Sequence, residues 1–389
     1  MTPQARVQAA IEVLDLVVGA TRDGGAAADT LVRRYFRDRR YAGAKDRRAV
    51  RDLVYAAIRR AGERPPSGRS AMLTLADADP AIAELFDGAP HGPSPIDADE
   101  PRASVGPGPG WITAQLPPID IVALAGRAPL DLRVNRLRAR RESVTAELGG
   151  VATPHAPTGV RLMEPVQIEQ HPLFLSGAIE VQDEGSQLVA LACQVRPDML
   201  VVDLCAGAGG KTLALAAEMA DRGRIVACDS DRARLSRLVP RAGRAGVSIA
   251  ETRLLDPGRE ALALGDLAGK ADVVLVDAPC SGTGTWRRNP EARWRITPRR
   301  LAALAKAQAR LLDLAAELVR PGGRLVYAVC SLIDDEGVDQ ASAFLDRHAG
   351  WMTVETGIVA GATLGPGRRL SPATDATDGF FVAAFVRPC

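Results

Sequence analysis

Two of the six cysteines in this chain stand where a thiol could react. Cys280 lies in DAPCSGTG, directly after the apolar run ADVVLVDA (271–278), and Cys330 lies in YAVCSL, directly after GRLVYAV (323–329). Both runs read as strands of a parallel sheet, and ligands bind such sheets at the carboxyl ends of the strands. Two strands that end in Cys on one edge can bring both thiols to one pocket. Either cysteine alone reads equally well as a small buried hydrophobe. That reading is kept for Cys193 and Cys228, and Cys389 is given no role. The spacings contain no CxxC or Cys/His ligand pattern, so no metal is expected, and scattered cysteines in a chain of 389 residues do not suggest a disulfide framework. A nucleophilic thiol must ionise from an ordinary pKa of about 8.5, so positive charge is needed beside it.

The segment VVDLCAGAGGKTLALAAEM reads as strand, glycine loop and helix. The small residues at 206–210 let the backbone approach a ligand, and the helix N-terminus offers free N–H groups. A phosphate-binding G-x-x-x-x-G-K-[ST] loop fails, because its first glycine would fall on Cys205. A nucleoside cofactor needs an acid at the end of the following strand, and Asp229 stands there after IVAC. This leaves NAD and S-adenosylmethionine as candidates. Lysine is rare, four of 49 basic residues, so Lys211 inside the loop suggests that an ammonium is wanted there. Thiols beside such a cofactor suit one difficult reaction. Carbon 5 of cytosine is too weak a nucleophile to take a methyl group until a thiolate adds at carbon 6. A base must then remove the carbon 5 proton so that the thiol can leave. Lys211 and Asp277 are natural companions for that chemistry.

The elements that must position these residues follow from periodicity. From Met199 onward strands at 200–204, 224–229, 271–278 and 323–329 alternate with helices, including a long one over 298–319, and 380–387 fits a late antiparallel strand. A smaller α/β pattern precedes them: PLDLRVNRL and VRLMEPVQI read as strands, and RARRESVTAELG between them as a helix ending in Gly. Residues 4–61 read as helices, with Val7, Ala10, Ile11, Leu14 and Val18 at helical spacing and Asp46 as a cap for a helix through Val50, Leu53, Val54 and Ile58. A short helical pattern covers 71–86, and 88–110 is a linker by composition. Apolar residues at 47% can fill a full core, and no run of eighteen apolar residues suggests a membrane span. No signal-peptide pattern is read at the N-terminus, so a cytoplasmic protein is expected. Net charge is only +2, yet residues 30–60 hold eleven basic residues against three acids, while 70–100 hold seven acids and no Lys or Arg. A basic lobe on a near-neutral chain points to a polyanionic partner.

The chain resembles the Sun/NOP (RsmB-like) RNA cytosine-5 methyltransferases through DLCAGAGGKT (203–212), VDAPCSGTG (276–284), RRNPEARWR (287–295), YAVCSL (327–332), PLDLRVNRL (129–137), HPLFLSGAIEVQDEGSQLVA (171–190) and DGFFVA (378–383). The stretch 35–59 looks like the helical antitermination-factor-like (NusB-like) domain that some bacterial members carry. The resemblance implies an α/β fold: a doubly wound, Rossmann-like class I methyltransferase domain over 196–389, a small α/β RNA-recognition-like subdomain over 127–195, a linker and connecting helix over 89–126, and an all-helical RNA-binding domain over 1–88. It implies that Cys330 is the nucleophile, that Cys280 assists release, and that Lys211 and Asp277 position the cytosine. S-adenosyl-L-methionine would be held by Cys205, Ala206, Gly207, Ala208, Gly209, Gly210 and Lys211 with Asp229, Asp256 and Asp277. RNA contacts are expected from Arg33, Arg34, Arg37, Arg39, Arg40, Lys45, Arg47 and Arg48, and from Arg287 and Arg288. The sequence departs from the family pattern in three places. The loop lacks the proline of CAAPGGK, Val329 replaces the Thr before the nucleophile, and Glu336-Gly337 stands for an acidic–Asn pair.

Ribosomal RNA of the small subunit is the expected substrate, with transfer RNA second, and the protein is expected to be a monomer without membrane or metal partners. Two rivals make different predictions. A DNA cytosine-5 methyltransferase would use the Pro-Cys thiol, Cys280, as nucleophile, and a non-catalytic RNA-binding assembly factor would have lost a catalytic group.

Overall fold

Helical periodicity near the N-terminus and alternating apolar runs after Ala128 divide the chain physically as well as by pattern. The computed structural model describes residues 1–164 and 166–389, without the side chain of residue 23. It separates into one unit of residues 1–127 with 285–298, and a second of 128–284 with 299–389.

The first unit is built on helices Pro3–Asp23, Ala28–Arg37, Ala44–Arg60 and Gly68–Ala76. Thr2 caps the first by accepting the Ala5 N–H at 3.2 Å. Val7, Ala10, Ile11, Leu14 and Val18 are all buried, in one core with Val50, Val54 and Ile58. Asp46 does not take the expected cap position. Gly43 does, and Asp46 lies a turn inside, its carboxylate accepting the Gly43 N–H at 3.2 Å. Arg6 at 2.9 Å and the N-terminal amine at 3.3 Å draw it toward the first helix, and Arg6 most of all holds its carboxyl below the usual range.

Residues 285–298 were expected within the 196–389 domain; they pack instead into this helical unit. The orphan carbonyls at a helix C-terminus need donors when buried. Arg293, 1% exposed, supplies them to Ile58 at 2.5 Å, Arg59 at 3.0 Å and Ala61 at 2.8 Å. Glu291 accepts the Ala28 N–H at 2.9 Å, at the start of the second helix, and Trp294 joins the core.

The second unit contains two sheets. The smaller is antiparallel, in the order β2-β3-β1-β4, from β1 (Leu130–Val134), β2 (Val151–Ala152), β3 (Gly159–Leu162) and β4 (Ile179–Val181). The helix Arg141–Leu148 ends at Gly149 in the left-handed conformation. The strand expected over 160–168 is confined to β3, and residue 165 lies outside the described residues.

The larger sheet comprises β5 (Leu200–Asp203), β6 (Arg224–Asp229), β7 (Ala250–Leu254), β8 (Ala271–Asp277), β9 (Val319–Val329), β10 (Met352–Thr353), β11 (Ala362–Leu364), β12 (Gly367–Leu370) and β13 (Phe380–Val386). Its order is β11-β12-β13-β9-β8-β5-β6-β7, with β10 also on β13. The strands β7, β6, β5, β8 and β9 run parallel, and β13 runs antiparallel to β9. This is a mixed α/β, Rossmann-like sheet. The strands from β10 to β12, and β7, went unread in the sequence. β7 is an edge strand, AETRL, with no buried residue to give an apolar run. The chain leaving β5 turns to β6 on one side, and the chain leaving β7 crosses back to β8 on the other, so a crevice opens at the carboxyl ends of β5 and β8. The loop after β5 carries the glycine motif, and the loops after β8 and β9 carry the two cysteine motifs. Among the described residues no helix is long and apolar enough to cross a membrane.

Candidate active site

The glycine loop after β5 is shaped by close neighbours. Gly207 and Gly209 have φ of 56° and 85°, conformations that side chains disfavour. A Cβ on Gly209 would lie 2.1 Å from Leu238, whereas one on Gly210 meets nothing within 4 Å. The loop is therefore packed on one side and open on the other. Asp229, at the end of β6, holds it from below: its carboxylate accepts the N–H of Gly207 and of Asp231, each at 2.7 Å. Arg241 donates to the Ala208 carbonyl at 2.6 Å and to Glu180 of β4 at 2.8 Å, and Arg244 also pairs with Glu180.

The open side faces a cleft of about 290 Å³ lined by Asp203, Cys205, Ala206, Ala208, Lys211 and Asp277, among others. Asp203 is buried, and Thr212 donates to one of its oxygens at 2.7 Å. The other oxygen has no partner among the described residues. Burial, with Asp277 and Asp229 nearby, pushes its carboxyl up to about 7 against the opposing pull of Thr212 and Lys211. Lys211 forms an ion pair with Asp277 at 2.7 Å. Burial would lower the Lys211 ammonium, but the Asp277 charge and hydrogen bond, together with Cys330 and Asp203, outweigh it and raise it. The ammonium stays charged inside the cleft.

The β8–β9 register aligns Asp277 with Ala328, so the chain leaves both strands level with one another. Three residues beyond Asp277 and two beyond Ala328, the sulfurs of Cys280 and Cys330 lie 3.4 Å apart. The hydrogen bond that Cys280 donates to Cys330, burial, and then the charges of Cys330 and Glu336 push the Cys280 thiol well above its ordinary range. Cys280 is thus held in its protonated form.

Of the expected catalytic residues, Cys280 meets Cys330 and Lys211 meets Asp277, and the Cys330 charge acts on the Lys211 ammonium. Of the expected cofactor residues, Cys205, Ala206, Ala208, Gly210, Lys211 and Asp277 line the cleft, while Asp229 braces the loop behind it. Asp256 is exposed beyond the end of β7 and is not brought to the cleft lining. In the helical unit, Arg34, Arg40, Lys45 and Arg48 are exposed. Arg33 pairs with Asp29, Arg37 with Asp38 and Arg39 with Glu12, and Arg47 donates to the Ala42 carbonyl. Arg287 corrects the expectation placed on it: at 6% exposed, its guanidinium is not offered to a phosphate. Arg288 is half-buried. Among the described residues no group of three or more His, Cys, Asp or Glu is arranged to hold a metal ion.

The family model for 16S rRNA methyltransferase RsmB/F matches residues 190–386, half of the chain. The chain belongs to this family. The RsmB/F relatives include ribosomal RNA small subunit methyltransferase B of Salmonella typhi, 35% identical over 291 residues; the match covers 72% of this chain and 66% of that protein. A methyltransferase homolog protein from Pyrococcus horikoshii superposes with a TM-score of 0.61 at 29% identity, over 69% of this chain and 90% of that one. The solved structure of PH0851 matches 99% of both chains with a TM-score of 0.77; at 24% identity this is a likeness of fold.

Within this RsmB/F chain, several residues of the site escaped the sequence reading. Asp203 stood inside DLCAGAGGKT without a role, and its place at the end of β5 was the available signal. Glu336 was seen only as a departure. Arg241 and Glu180 gave no signal, since they lie 61 residues apart and meet only through tertiary packing.

Proposed function

We propose that this protein is an S-adenosylmethionine-dependent RNA cytosine-5 methyltransferase that acts through Cys330. The observation that carries the reading is the 3.4 Å approach of Cys280 and Cys330 at the ends of neighbouring strands, beside the glycine loop and the Lys211–Asp277 pair. The cleft suits the cofactor in its donor set: an open loop face at Gly210, helix-terminal N–H groups, and the unpartnered buried oxygen of Asp203, which an ammonium would satisfy. S-adenosylmethionine bound there supplies an electrophilic methyl group. The loop 205–211, Asp203 and Asp277 would hold it, with Asp229 fixing the loop.

Cys330 adds as thiolate to carbon 6 of the cytosine, which makes carbon 5 nucleophilic. Lys211 supplies positive charge at the site and is itself oriented by Asp277. After methylation, carbon 5 gives its proton to Cys280 while the Cys280 proton passes to the departing Cys330 sulfur. The ring double bond re-forms and both thiols are restored. The raised Cys280 thiol fits this role, because it is protonated when release begins.

Ribosomal RNA of the small subunit is the substrate proposed first, on the family match, with transfer RNA second. The helical lobe, read as antitermination-factor-like, and the small α/β subdomain, read as RNA-recognition-like, serve as RNA-binding parts. The test is a pair of substitutions assayed with tritiated cofactor and RNA. Cys330→Ala should transfer no methyl group and trap no RNA. Cys280→Ala should methylate once and then stall as an adduct that survives denaturing electrophoresis. An adduct with Cys330→Ala and none with Cys280→Ala would assign the nucleophile to Cys280, as in the DNA enzymes.

A further inference from the structure

Glu336 is completely buried, in the turn Asp334–Glu336 just beyond Cys330. A carboxylate in such a place is costly unless its oxygens are satisfied. One oxygen accepts the backbone N–H of Ser281 at 2.8 Å and the Gln308 amide at 3.1 Å; the other accepts the Ser281 hydroxyl. The same Gln308 nitrogen donates to the Pro279 carbonyl at 3.0 Å. The residues on either side of Cys280 are therefore held by one carboxylate and the amide it engages. The network continues to the other thiol. Each cysteine is followed by a serine, and the Ser281 and Ser331 hydroxyls meet at 3.2 Å as their cysteines meet at 3.4 Å. Thr283 joins Ser331 at 3.1 Å, and the Gly284 N–H donates to the Cys330 carbonyl at 3.1 Å. The Glu336 backbone is fixed in turn, its carbonyl accepting the Tyr327 hydroxyl at 2.5 Å.

Nothing in the methyl-transfer step uses Glu336, yet its contacts converge on the loop of the thiol assigned to release. We infer that Glu336 is a positioning residue that sets Cys280 against Cys330 and so governs release of the methylated RNA. This rests on the methyltransferase reading above. Release breaks the bond between carbon 6 and the Cys330 sulfur and the bond between carbon 5 and its proton. The carbon 5 proton goes to Cys280, the Cys280 proton goes to Cys330, and the pair from the broken C–H bond becomes the ring double bond. Both transfers depend on the position of one sulfur, so a loosened Cys280 slows release while leaving the attack by Cys330 in place. The Glu336 charge also raises the Cys280 thiol, after the effects of Cys330 and burial.

The test compares wild type, Cys280→Ala, Glu336→Gln and Ser281→Ala, using tritiated S-adenosylmethionine and total RNA from a strain lacking the gene. Glu336→Gln keeps the shape but replaces one accepting oxygen with a donor. It should transfer the first methyl group within about threefold of the wild-type rate, lose roughly tenfold or more in steady turnover, and accumulate the Cys330–RNA adduct. Its steady-state pH profile should shift to lower pH, because Cys280 loses a neighbouring negative charge. Ser281→Ala, which removes one of the bonds and keeps the backbone contact, should give a weaker form of the same pattern. If Cys280→Ala traps an adduct while Glu336→Gln turns over like wild type, the inference is overturned and the proposed function stands. If Glu336→Gln loses attack and release together, it is overturned as well. Should that variant fail to fold, Ser281→Ala decides: adduct accumulation supports the role and unchanged turnover overturns it. Absence of an adduct with Cys280→Ala overturns the reading of the reaction and this inference with it.

Discussion

A carboxyl group buried with one oxygen unsatisfied is a poor contribution to stability and a useful one to binding. Asp203 is such a group, raised to about 7 chiefly by burial. Its native value lies above its unfolded value, so its contribution to stability is fully present below the unfolded pKa and is lost as pH rises toward 7. Asp203→Asn removes that dependence. The melting temperature of the variant should gain on wild type between about pH 4 and 7 and then run parallel above it. Cofactor affinity should fall by roughly tenfold or more at pH 8, since an ammonium would lose a charged acceptor. A scan of thermal melts against pH, with calorimetry on the RNA-free protein, checks both; a melting difference that does not vary with pH would show that Asp203 is ionised at ordinary cost.

At the scale of elements, the question is how the glycine loop CAGAGGK keeps its shape with Ala208 where the pattern it resembles has proline. Arg241 spans the loop and the smaller sheet, holding the Ala208 carbonyl at 2.6 Å and Glu180 at 2.8 Å. Glu180 is buried and engages Arg244 too, so the brace is anchored in β4 rather than in solvent. Arg241→Ala should weaken S-adenosylmethionine binding roughly tenfold by calorimetry, the scale of one hydrogen bond to a charged group. Arg241→Lys should recover only part of the loss, because one ammonium cannot reproduce a fork that reaches two acceptors. Equal affinities for wild type and Arg241→Ala would mean that the loop holds itself. The motif DLCAGAGGKT was legible because it is local, whereas this brace was not, because Glu180 and Arg241 reach it from different elements.

For the whole molecule, the charge of residues 30–60 is the feature proposed above to meet RNA. Arg47 is exposed but donates to the Ala42 carbonyl, and Arg33, Arg37 and Arg39 have acidic partners; Arg34, Arg40, Lys45 and Arg48 are exposed with no acidic partner among the described residues. Phosphate contacts release counterions, so replacing those four with Gln should flatten the dependence of log affinity on log salt by about 3, at roughly 0.7–0.9 per contact. Filter binding of small-subunit RNA between 50 and 300 mM salt reads the slope, and an unchanged slope would move the RNA surface elsewhere. S-adenosylmethionine affinity of the RNA-free protein should not change.

The sequence by itself determined four of the five parallel strands, the glycine loop, the long helix and the two cysteines at strand ends, because each is written in contiguous periodicity or in a motif a few residues long. A strand buried on both faces must be a continuous apolar run, so β5, β6, β8 and β9 were visible; β7, at the edge with no fully buried residue, needed no such run and was not. Tertiary structure decided the rest. It placed residues 285–298 in the helical unit, where Arg293 satisfies the last carbonyls of a helix more than 230 residues earlier. It buried Arg287, which the sequence reading expected to contact RNA. It brought Glu336 beneath Ser281, and Arg241 to Ala208. Local sequence records what each residue prefers, but a buried polar atom takes its partner from whichever element lies within hydrogen-bond reach, and only the packed chain fixes which one that is.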